Sequence, residues 1–458
     1  MQTKQSLLKQ AEIDKLNLDL EQKQDVSADN DVNKKIGRNI VAEDFRYNLP
    51  KIPTLVDLCL SHMIEEFIIH RNTFKKVPEK FRKKITSQLS VDVPLWVTTD
   101  VVKDDEYWKR KCRARWRTSD SKEHRNSWKA TYMEMNMQET LEQFVPSVSD
   151  LNDLIELINI SSKFIRKLNV QQLLPKPSKQ SDKMMKDDSD EDYERLDFTE
   201  ILPKLKRLES ISLQYLVRNC GMNFKWGHFK MSEKDCTSLA KSLYFCKSLM
   251  DISIVKSSID DAQTEILCSQ LKDHPNLSTL NLSHNSISDK GMSTISTSLL
   301  NKHSFVRVQS IDLTNNSIKY AGVKVLAKEL ETNDKLLKLQ LRMNKIGDEG
   351  GSLILIAMAR NKTLNFLGLG SCDLGDMSAE AICYILKNNR TLQYLDISCN
   401  VFGTDNGEAI RQAVEGNDTL LNVDVRETEV TKEAEYFIAM KHQLNQERNG
   451  NVASDSHF

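Results

Sequence analysis

A leucine-rich pattern that recurs every 28 residues dominates the second half of the 458-residue chain. It reads L-x-x-L-x-L-x-x-N-x-I and is followed each time by a helical stretch. Recognisable copies begin at positions 249, 277, 308, 336, 364, 392 and 420, and a degenerate copy begins at Leu208. Because one such unit cannot bury its apolar face alone, neighbouring units must stack to form a continuous core. The period therefore predicts a solenoid.

The residue types within each copy predict its local structure. Alternating apolar residues such as Leu280 and Leu282 form a short strand whose apolar side chains point inward. The anchor residue is usually Asn, as at Asn285, but is Ser257, Cys372 or Thr428 in three copies. It can satisfy backbone groups where the chain leaves the strand. We expect an α/β fold, a leucine-rich-repeat solenoid of the ribonuclease-inhibitor horseshoe type, over residues 201–430.

The concave surface of such a solenoid consists of residues that alternate with the inward leucines. This alternation predicts that Phe366 and Tyr394 lie side by side, next to the bare backbone of Gly368 and Gly370. Solenoids commonly bind partners on this side, where aromatic anchors contribute most of the binding energy. The predicted partner-binding residues of this concave patch are Lys338, Gln340, Arg342, Phe366, Gly368, Gly370, Tyr394, Asp396, Asp424 and Arg426. Two alternatives stay open: the rings pack only on each other, or a terminal segment covers them.

The first half of the chain lacks the 28-residue period and predicts a different module. Residues 41–175 show an irregular α-helical pattern, including an apolar helix that begins just after Pro53. Residues 71–130 carry 17 Lys or Arg against 8 Asp or Glu. The densest basic run is a second set of candidate partner-binding residues: Lys109, Arg110, Lys111, Arg113, Arg115 and Arg117. It is interpreted either as a solvated helix face or as a docking patch for an acidic surface, such as a microtubule wall or an acidic coiled coil.

Composition divides the remaining segments. Residues 1–40 are polar and predict a disordered N-terminal segment, and residues 176–200 predict an acidic linker. The last repeat needs a polar cap. Residues 431–447 offer one as a helix that carries Tyr436, Phe437, Met440 and Leu444. Residues 448–458 are interpreted as a frayed tail.

Net charge and missing motifs limit the classes of function. Sixty-four basic and 65 acidic residues nearly cancel, which argues against a protein devoted to coating nucleic acid. No apolar run approaches the roughly 18 residues of a membrane span, and the charged N-terminus lacks the apolar core of a signal peptide. The sequence also contains no phosphate-binding loop, dinucleotide fingerprint, HExxH, GxSxG or CxxC motif. We therefore expect an intracellular binding protein that is not an enzyme, with no metal, cofactor, nucleic acid, membrane or small-molecule substrate.

Several segments outside the regular repeats resemble one family. They include Val93-Pro94-Leu95-x-Val97-Thr98 and, later in the chain, Leu271-x-Asp273-His274-Pro275. The most specific segment is Cys220-Gly221-Met222-Asn223-Phe224-Lys225-Trp226, inserted after the degenerate first repeat. Over roughly residues 40–440 the chain resembles the t-complex-associated testis-expressed protein 1 family, subunit 5 of the nexin–dynein regulatory complex. The order of helical module, acidic linker, atypical repeat and regular repeats agrees with that resemblance.

The resemblance implies a non-enzymatic scaffold subunit in the axoneme of motile cilia and flagella, a part of the cytoskeleton within the cytoplasm. Such a subunit links doublet microtubules and helps to regulate inner-arm dynein and ciliary motility through protein–protein contacts. The implied partners are other subunits of the complex, among them a second leucine-rich subunit and coiled-coil subunits. Inner-arm dynein and the doublet microtubules are further candidate partners.

Two weaker resemblances define alternatives. The segment VPEKFRKKITSQLS, followed by Trp108, Cys112 and Trp116, is similar in outline to an F-box, although Val77-Pro78 stands where an F-box has Leu-Pro. An F-box would imply a leucine-rich-repeat substrate adapter of a ubiquitin ligase. A Ran-type GTPase activator shares this repeat class, but its acidic stretch follows the repeats, whereas here residues 176–200 precede them.

Overall fold

The computed structural model describes residues 53–177, 193–448 and Gly450. The predicted N-terminal segment of residues 1–40, residues 178–192 of the predicted acidic linker, and most of the predicted tail lie outside the described residues. The chain divides into two units, Met1–Leu60 and Ser61–Phe458. The described part of the first unit is residues 53–60, where Thr54 begins a helix: its hydroxyl accepts a hydrogen bond from the backbone N–H of Asp57 at 3.2 Å.

Short helices dominate the described chain between Leu55 and Ser161. They are α1 (Leu55–Glu65), α2 (Phe67–Phe74), α3 (Glu79–Gln88), α4 (Leu95–Thr98), α5 (Asp105–Arg115), α6 (Trp128–Gln143) and α7 (Leu151–Ser161). Local sequence explains several starts: Pro78 and Pro94 precede α3 and α4, and the side chains of Asp104, Ser127 and Asp150 cap α5, α6 and α7. These helices are accordingly only 4 to 16 residues long.

A small aromatic core holds part of this helical region together. Tyr107 and Trp108 on α5 are fully buried, and the indole N–H of Trp108 donates to the backbone oxygen of Val102 at 3.1 Å. The ring of Tyr132 on α6 lies 5.7 Å from that of Trp108 and 5.2 Å from that of Trp116. These four aromatic side chains therefore pack together with their polar atoms satisfied, which is the structural role expected for buried tryptophan.

In the described part of the chain, nine parallel strands form one sheet whose spatial order equals the order in the sequence. They are β1 (Lys167–Val170), β2 (Ser210–Leu213), β3 (Asp251–Ile254), β4 (Thr279–Asn281), β5 (Ser310–Asp312), β6 (Lys338–Gln340), β7 (Phe366–Gly368), β8 (Tyr394–Asp396) and β9 (Asn422–Asp424). A helix follows each of the last eight: α8 (Glu233–Phe245), α9 (Asp261–Leu271), α10 (Asp289–Ile295), α11 (Tyr320–Leu330), α12 (Gly347–Met358), α13 (Asp376–Asn388), α14 (Gly403–Glu415) and α15 (Lys432–Arg448). This is the architecture of a leucine-rich-repeat solenoid.

The sheet begins earlier than the pattern suggested. Strand β1 lies inside residues 41–175, the range assigned to the helical module, and pairs in register with β2, Leu168 opposite Ile211. The core of the repeats accordingly extends back to Met137 and Ile158 on α6 and α7. The sequence does contain the signal, because Ile165, Leu168 and Val170 follow the L-x-x-L-x-L spacing. A 43-residue step to the next copy hides it.

The anchor asparagines form a ladder along one end of the strands. The side chain of Asn400 accepts hydrogen bonds from the backbone N–H groups of Cys372 and Leu374 and donates to the carbonyls of Leu369 and Ile397, at distances of 2.9 to 3.1 Å. Each anchor thus joins one repeat to the previous one. Equivalent bonds surround Asn285, Asn316 and Asn344.

A second asparagine ladder lies where each helix returns to the next strand, and the repeat consensus did not include it. Its members recur every 28 residues: Asn333, Asn361, Asn389, Asn417 and Asn445. All five are buried. The amide of Asn389, for example, donates to the carbonyls of Met358 and Asn361 at 2.7 and 3.1 Å. Buried carbonyls at each return are satisfied in this way.

The one repeat of 31 residues keeps the register of the sheet. Its helix α10 ends at Ile295 and continues as a π-helical turn over Ser296–Leu300. A π-helical turn is a known way to accommodate additional residues in a helix. Strands β4 and β5 still pair in register, Leu280 opposite Ile311, so the three additional residues are absorbed on the helical side.

Helix α15 follows the last strand, but the apolar residues that suggested it do not form its buried face. Tyr436, Met440 and Leu444 are 69, 43 and 48% exposed. Its buried residues are Ala434, Ile438, His442 and Asn445. The difference arises because Asn445 continues the second ladder, donating to the carbonyls of Asn417 and Leu420 at 2.9 and 2.8 Å, and this fixes the rotation of the helix. Among the described helices, none combines the length and apolar character needed to cross a membrane.

Candidate functional site

The aromatic pair of the concave patch lies at the first residues of β7 and β8. The strand register places Phe366 opposite Tyr394, and their ring centroids are 6.1 Å apart with an angle of 28° between the planes. Both side chains are half-buried. The ammonium of Lys338 lies 4.4 Å from the centroid of the Phe366 ring. A cation and two aromatic rings therefore form a continuous row across three neighbouring strands.

The glycine depression predicted beside these rings is filled. The side chain of Gln340 lies over Gly368, and that of Arg342 lies over Gly370, where a Cβ atom would be only 3.2 Å from the Arg342 Nε. Gly368 and Gly370 are both buried. The sequence showed the missing side chains correctly, but the long side chains of the preceding strand fold over the space. A partner that needs a pocket there must first displace Gln340 or Arg342.

Two ion pairs occupy the C-terminal part of the patch. Arg342 pairs with the buried carboxylate of Asp396 at 3.2 Å, which also accepts a hydrogen bond from the Ser398 hydroxyl at 2.7 Å. Arg426 pairs with Asp424 at 2.5 to 2.8 Å. Burial raises the pKa of Asp424, but hydrogen bonds from Arg426 outweigh that effect and hold the pKa below its ordinary value. Asp396 and Asp424 are thus committed to neighbouring arginines.

Lys338 is the cation of the patch that keeps an uncompensated charge. Within residues 53–177 and 193–448, it has no carboxylate within ion-pair distance, and its side chain is exposed. The strands before it present mainly small polar residues on the same face, such as Ser212, Ser253 and Asn281. The concave surface is therefore uneven: the aromatic rings lie on β7 and β8 beside Lys338, whereas the exposed Lys167 lies at the other end of the sheet, on β1.

The basic run of α5 is not one continuous surface. Lys111 is buried, and its ammonium donates to the carbonyls of Val91 and Val93 at 2.5 and 2.8 Å. Burial lowers the pKa of Lys111 to about 8. The guanidinium of Arg110 donates to the carbonyls at the end of α3, Thr86 and Leu89. Both residues fix the packing of the helices, and Lys111 is removed from the surface.

The other four basic residues lie nearer the solvent. Arg115 pairs with Glu139 on α6 at 3.0 Å, and Lys109 pairs with Glu106 at 3.2 Å on its own helix. Arg113 lies with its guanidinium 5.8 Å from the Trp128 ring. Arg113 and Arg117 are exposed. An interaction surface built from this run would therefore contain fewer than the six cations that the sequence suggests.

The insert at residues 220–226 carries exposed apolar side chains. Met222 is fully exposed, and Trp226 and Phe224 are 74 and 48% exposed. The ring of Phe224 contacts those of Trp226 and Phe229 at 5.1 and 5.4 Å. The buried guanidinium of Arg195 holds the insert by donating to the carbonyls of Gly227 and Lys230 at 3.1 and 2.9 Å. The spacing of the apolar residues in the sequence could not show whether they lie at the surface or in a hydrophobic core.

Comparison with known proteins supports the repeat architecture. A family model described as "Leucine Rich repeat" matches residues 273–296, 332–355 and 388–410. Among solved structures, that of the actin-binding site 2 of leiomodin-1 is 18% identical, covers 35% of this chain and 91% of that chain, and superposes with a TM-score of 0.30. The predicted leucine-rich-repeat fold is confirmed.

Relatives with curated names share more of the chain. The dynein regulatory complex subunit 5 of Mus musculus is 34% identical over 263 residues, which is 56% of this chain and 53% of the mouse protein. The protein of the same name from Chlamydomonas reinhardtii is 32% identical over 211 residues, 46% of this chain and 49% of the algal one. The chain spans about half the length of the curated relatives it matches. The resemblance to subunit 5 of the regulatory complex is confirmed at this level.

Proposed function

We propose that this chain is a non-enzymatic structural subunit of a dynein regulatory complex in the axoneme of motile cilia or flagella. In this role it links doublet microtubules and helps to regulate inner-arm dynein through protein–protein contacts. One observation carries the proposal: the likeness to proteins named dynein regulatory complex subunit 5 in both Mus musculus and Chlamydomonas reinhardtii. A solenoid of stacked repeats suits such a role because it offers a long surface without a catalytic site.

The concave patch supports the proposal as a partner-binding surface. Lys338, Phe366 and Tyr394 combine apolar area with an uncompensated positive charge. The complementary partner is a segment that presents apolar side chains together with a carboxylate, as an acidic coiled-coil subunit does. The rigid strands hold the two rings in place before binding, so little side-chain entropy is lost when the partner docks.

The exposed cations of the basic run are the second proposed contact. Arg113 and Arg117 are exposed, and Lys109 and Arg115 lie at the surface in ion pairs with Glu106 and Glu139. Such residues attract an acidic surface, including that of a microtubule, and the attraction weakens with salt. Arg110 and Lys111 take no part in this contact because backbone carbonyls occupy them.

The proposed location can be tested by fractionation. Axonemes from ciliated cells that express the tagged chain are extracted with rising salt, and mass spectrometry follows the chain and the subunits of the regulatory complex. We expect the chain to remain with the doublets and to leave them together with those subunits. Absence from axonemes, with recovery of the chain in a soluble ubiquitin-ligase assembly, would contradict the proposal and favour the F-box alternative.

The concave contact can be tested separately with a matched pair of variants. We expect Phe366→Ala/Tyr394→Ala to weaken capture of the regulatory complex by at least about tenfold, since central aromatic anchors commonly contribute 2 kcal/mol or more. The control is Met377→Ala/Tyr384→Ala, which removes two side chains from α13 that are 51 and 53% exposed. Equal capture by both variants and the unmodified chain would place the interface elsewhere.

A further inference from the structure

Three potential metal ligands converge near the start of the second unit. Nε2 of His62 lies 3.5 Å from Oε2 of Glu66, and Nε2 of His70 lies 3.3 Å from the same oxygen. All three ligand atoms lie within 4.8 Å of one another. Within residues 53–177 and 193–448, this is the one such group of His, Cys, Asp and Glu side chains. These three residues belong neither to the concave patch nor to the basic run.

A break in the helix brings the two histidines together. Residues eight apart on a straight α-helix are separated by about 12 Å along its axis, too far to share one ion. Here α1 ends at Glu65 and α2 begins at Phe67, and Glu66 between them has φ −101° and ψ 35°. The ring centroids of His62 and His70 are consequently 5.5 Å apart. The carboxylate at the break lies between the two rings.

Two of the three distances between ligand atoms match a tetrahedral metal site. Zinc binds imidazole nitrogen and carboxylate oxygen at about 2.0–2.2 Å, so that two ligand atoms of one tetrahedron lie about 3.3–3.5 Å apart. Both histidine–carboxylate distances, 3.3 and 3.5 Å, fall in that range. Two His and one Glu are also the ligand set of many zinc sites that keep a fourth position open.

One ligand atom has an unmet need for a partner. Nε2 of His70 is shielded from solvent and makes no hydrogen bond within the described part of the chain, although it lies 3.3 Å from the Glu66 carboxylate. A shielded polar atom without a hydrogen bond is destabilising. A metal ion between the two side chains would satisfy it. The His62 side chain is 60% exposed, so solvent or a partner's side chain can reach a fourth coordination position.

We propose that His62, Glu66 and His70 bind one zinc ion, or a divalent transition-metal ion of similar ligand preference, through His62 Nε2, Glu66 Oε2 and His70 Nε2. Its ligands lie on both sides of the helix break, so the ion fixes the angle between the last turn of α1 and α2. The signal in the sequence is His-x3-Glu-x3-His, which specifies a shared ion only because the helix breaks at its centre. The site is independent of the proposed axonemal function.

The first test is calorimetric titration of the metal-free full-length chain with zinc chloride. We expect one site that is lost in His62→Asn/His70→Asn. Loss of a single ligand in His70→Asn should weaken binding by at least about tenfold, since even removal of a residue behind a ligand costs 10- to 100-fold. The matched control is His284→Asn/His303→Asn, which removes two exposed histidines of the repeats and should leave binding unchanged.

Thiols are the competing ligands, because Cys59 and Cys399 are exposed. Titration with cobalt(II) separates the cases: a nitrogen and oxygen site gives visible bands alone, whereas a thiolate ligand adds strong near-ultraviolet absorption. We expect visible bands alone, and we expect them to be retained in Cys59→Ser/Cys399→Ser. Thiolate absorption, binding that survives in His62→Asn/His70→Asn, or the lack of any zinc binding to the unmodified chain would each overturn the proposal.

Discussion

The side-chain amide of Gln340 lies across the backbone of Gly368, so close that a Cβ atom at position 368 would come within 1.3 Å of the Gln340 Oε1 atom. That oxygen is buried and makes no hydrogen bond within the described residues. The end of a flexible side chain thus covers the floor of the concave patch. Because an unsatisfied buried oxygen gains by reaching water, the cover is weakly held.

This arrangement predicts that Gly368→Ala is tolerated. The new methyl group displaces only the end of the Gln340 side chain, and alanine restricts the unfolded chain, so we expect the free energy of unfolding to change by less than about 1 kcal/mol. The comparison is Gly322→Ala, where the new Cβ would lie 2.9 Å from the backbone Cα of Asp289. Since the backbone cannot move aside easily, that variant should lose about 1–3 kcal/mol. Urea unfolding of both variants measures the difference, and an equal loss would contradict it.

Removal of one anchor asparagine should be costly. Asn400→Ala leaves the N–H groups of Cys372 and Leu374 and the carbonyls of Leu369 and Ile397 without their side-chain partner in a buried position. We expect a loss of about 3 kcal/mol or more, since each orphaned buried group costs about 1–3 kcal/mol. The control, exposed Asn388→Ala on α13, should change stability by less than about 0.5 kcal/mol. Similar denaturant midpoints for the two variants would show that the ladder is unimportant.

We expect that breaking the buried ion pair Arg195–Asp235 costs much more stability than breaking an exposed ion pair. Their side chains are 0 and 6% exposed and 3.2 Å apart. Arg195→Met leaves the Asp235 carboxylate buried without its cation, and we expect a loss of about 3–5 kcal/mol. Arg360→Met breaks the exposed pair with Glu331 and should cost at most about 1 kcal/mol.

Thermal unfolding monitored by circular dichroism compares these two variants. Adding Asp235→Asn to Arg195→Met should restore part of the loss, because the uncompensated charge is removed. If the loss of stability in the double variant equals the sum of the losses in Arg195→Met and Asp235→Asn, the two residues are not coupled.

Acid should loosen the capping helix α15. His442 is buried on that helix, and burial lowers its pKa to about 4 from an ordinary value of 6.5. Below pH 6.5 the unfolded segment binds a proton that the folded one does not, so the stability of the cap falls between about pH 6.5 and pH 4 and is fully present above that range.

Hydrogen exchange of residues 432–448 at pH 7 and pH 5, corrected for the intrinsic pH dependence, measures this effect. We expect His442→Gln to remove the acid sensitivity, because glutamine does not titrate. Unchanged protection of this helix in the original chain at pH 5 would contradict the prediction.

Local regularity explains which features could be predicted. The 28-residue spacing determines both the strand positions and the register, and the register alone places Phe366 beside Tyr394. The anchor asparagines were recognisable because each performs the same task in its own repeat. Strand β1 and the second asparagine ladder were missed although both carry a sequence signal. An irregular interval separates β1 from the next repeat, and the second ladder lies outside the repeat consensus.

The candidate sites depended more on contacts between distant residues. The sequence does not show which of the six basic residues in the run are exposed. In the structure, Lys111 is buried against the carbonyls of Val91 and Val93, whereas Arg113 is exposed. The two glycines of the concave patch indicated an open floor, but side chains from the neighbouring strand cover it. Spacing specifies which Cα atoms are neighbours, and it does not specify where a flexible side chain ends.

The sequence by itself determined the solenoid, its repeat length and the order of its strands, because a periodic apolar pattern has one efficient way to bury itself. Only the tertiary structure decided which charges reach the solvent, which face of α15 is buried, and that His62 and His70 share the Glu66 carboxylate. These features depend on the break between two helices and on packing between residues far apart in the chain. Such contacts follow from three-dimensional burial and hydrogen bonding, for which a single sequence carries no periodic signal.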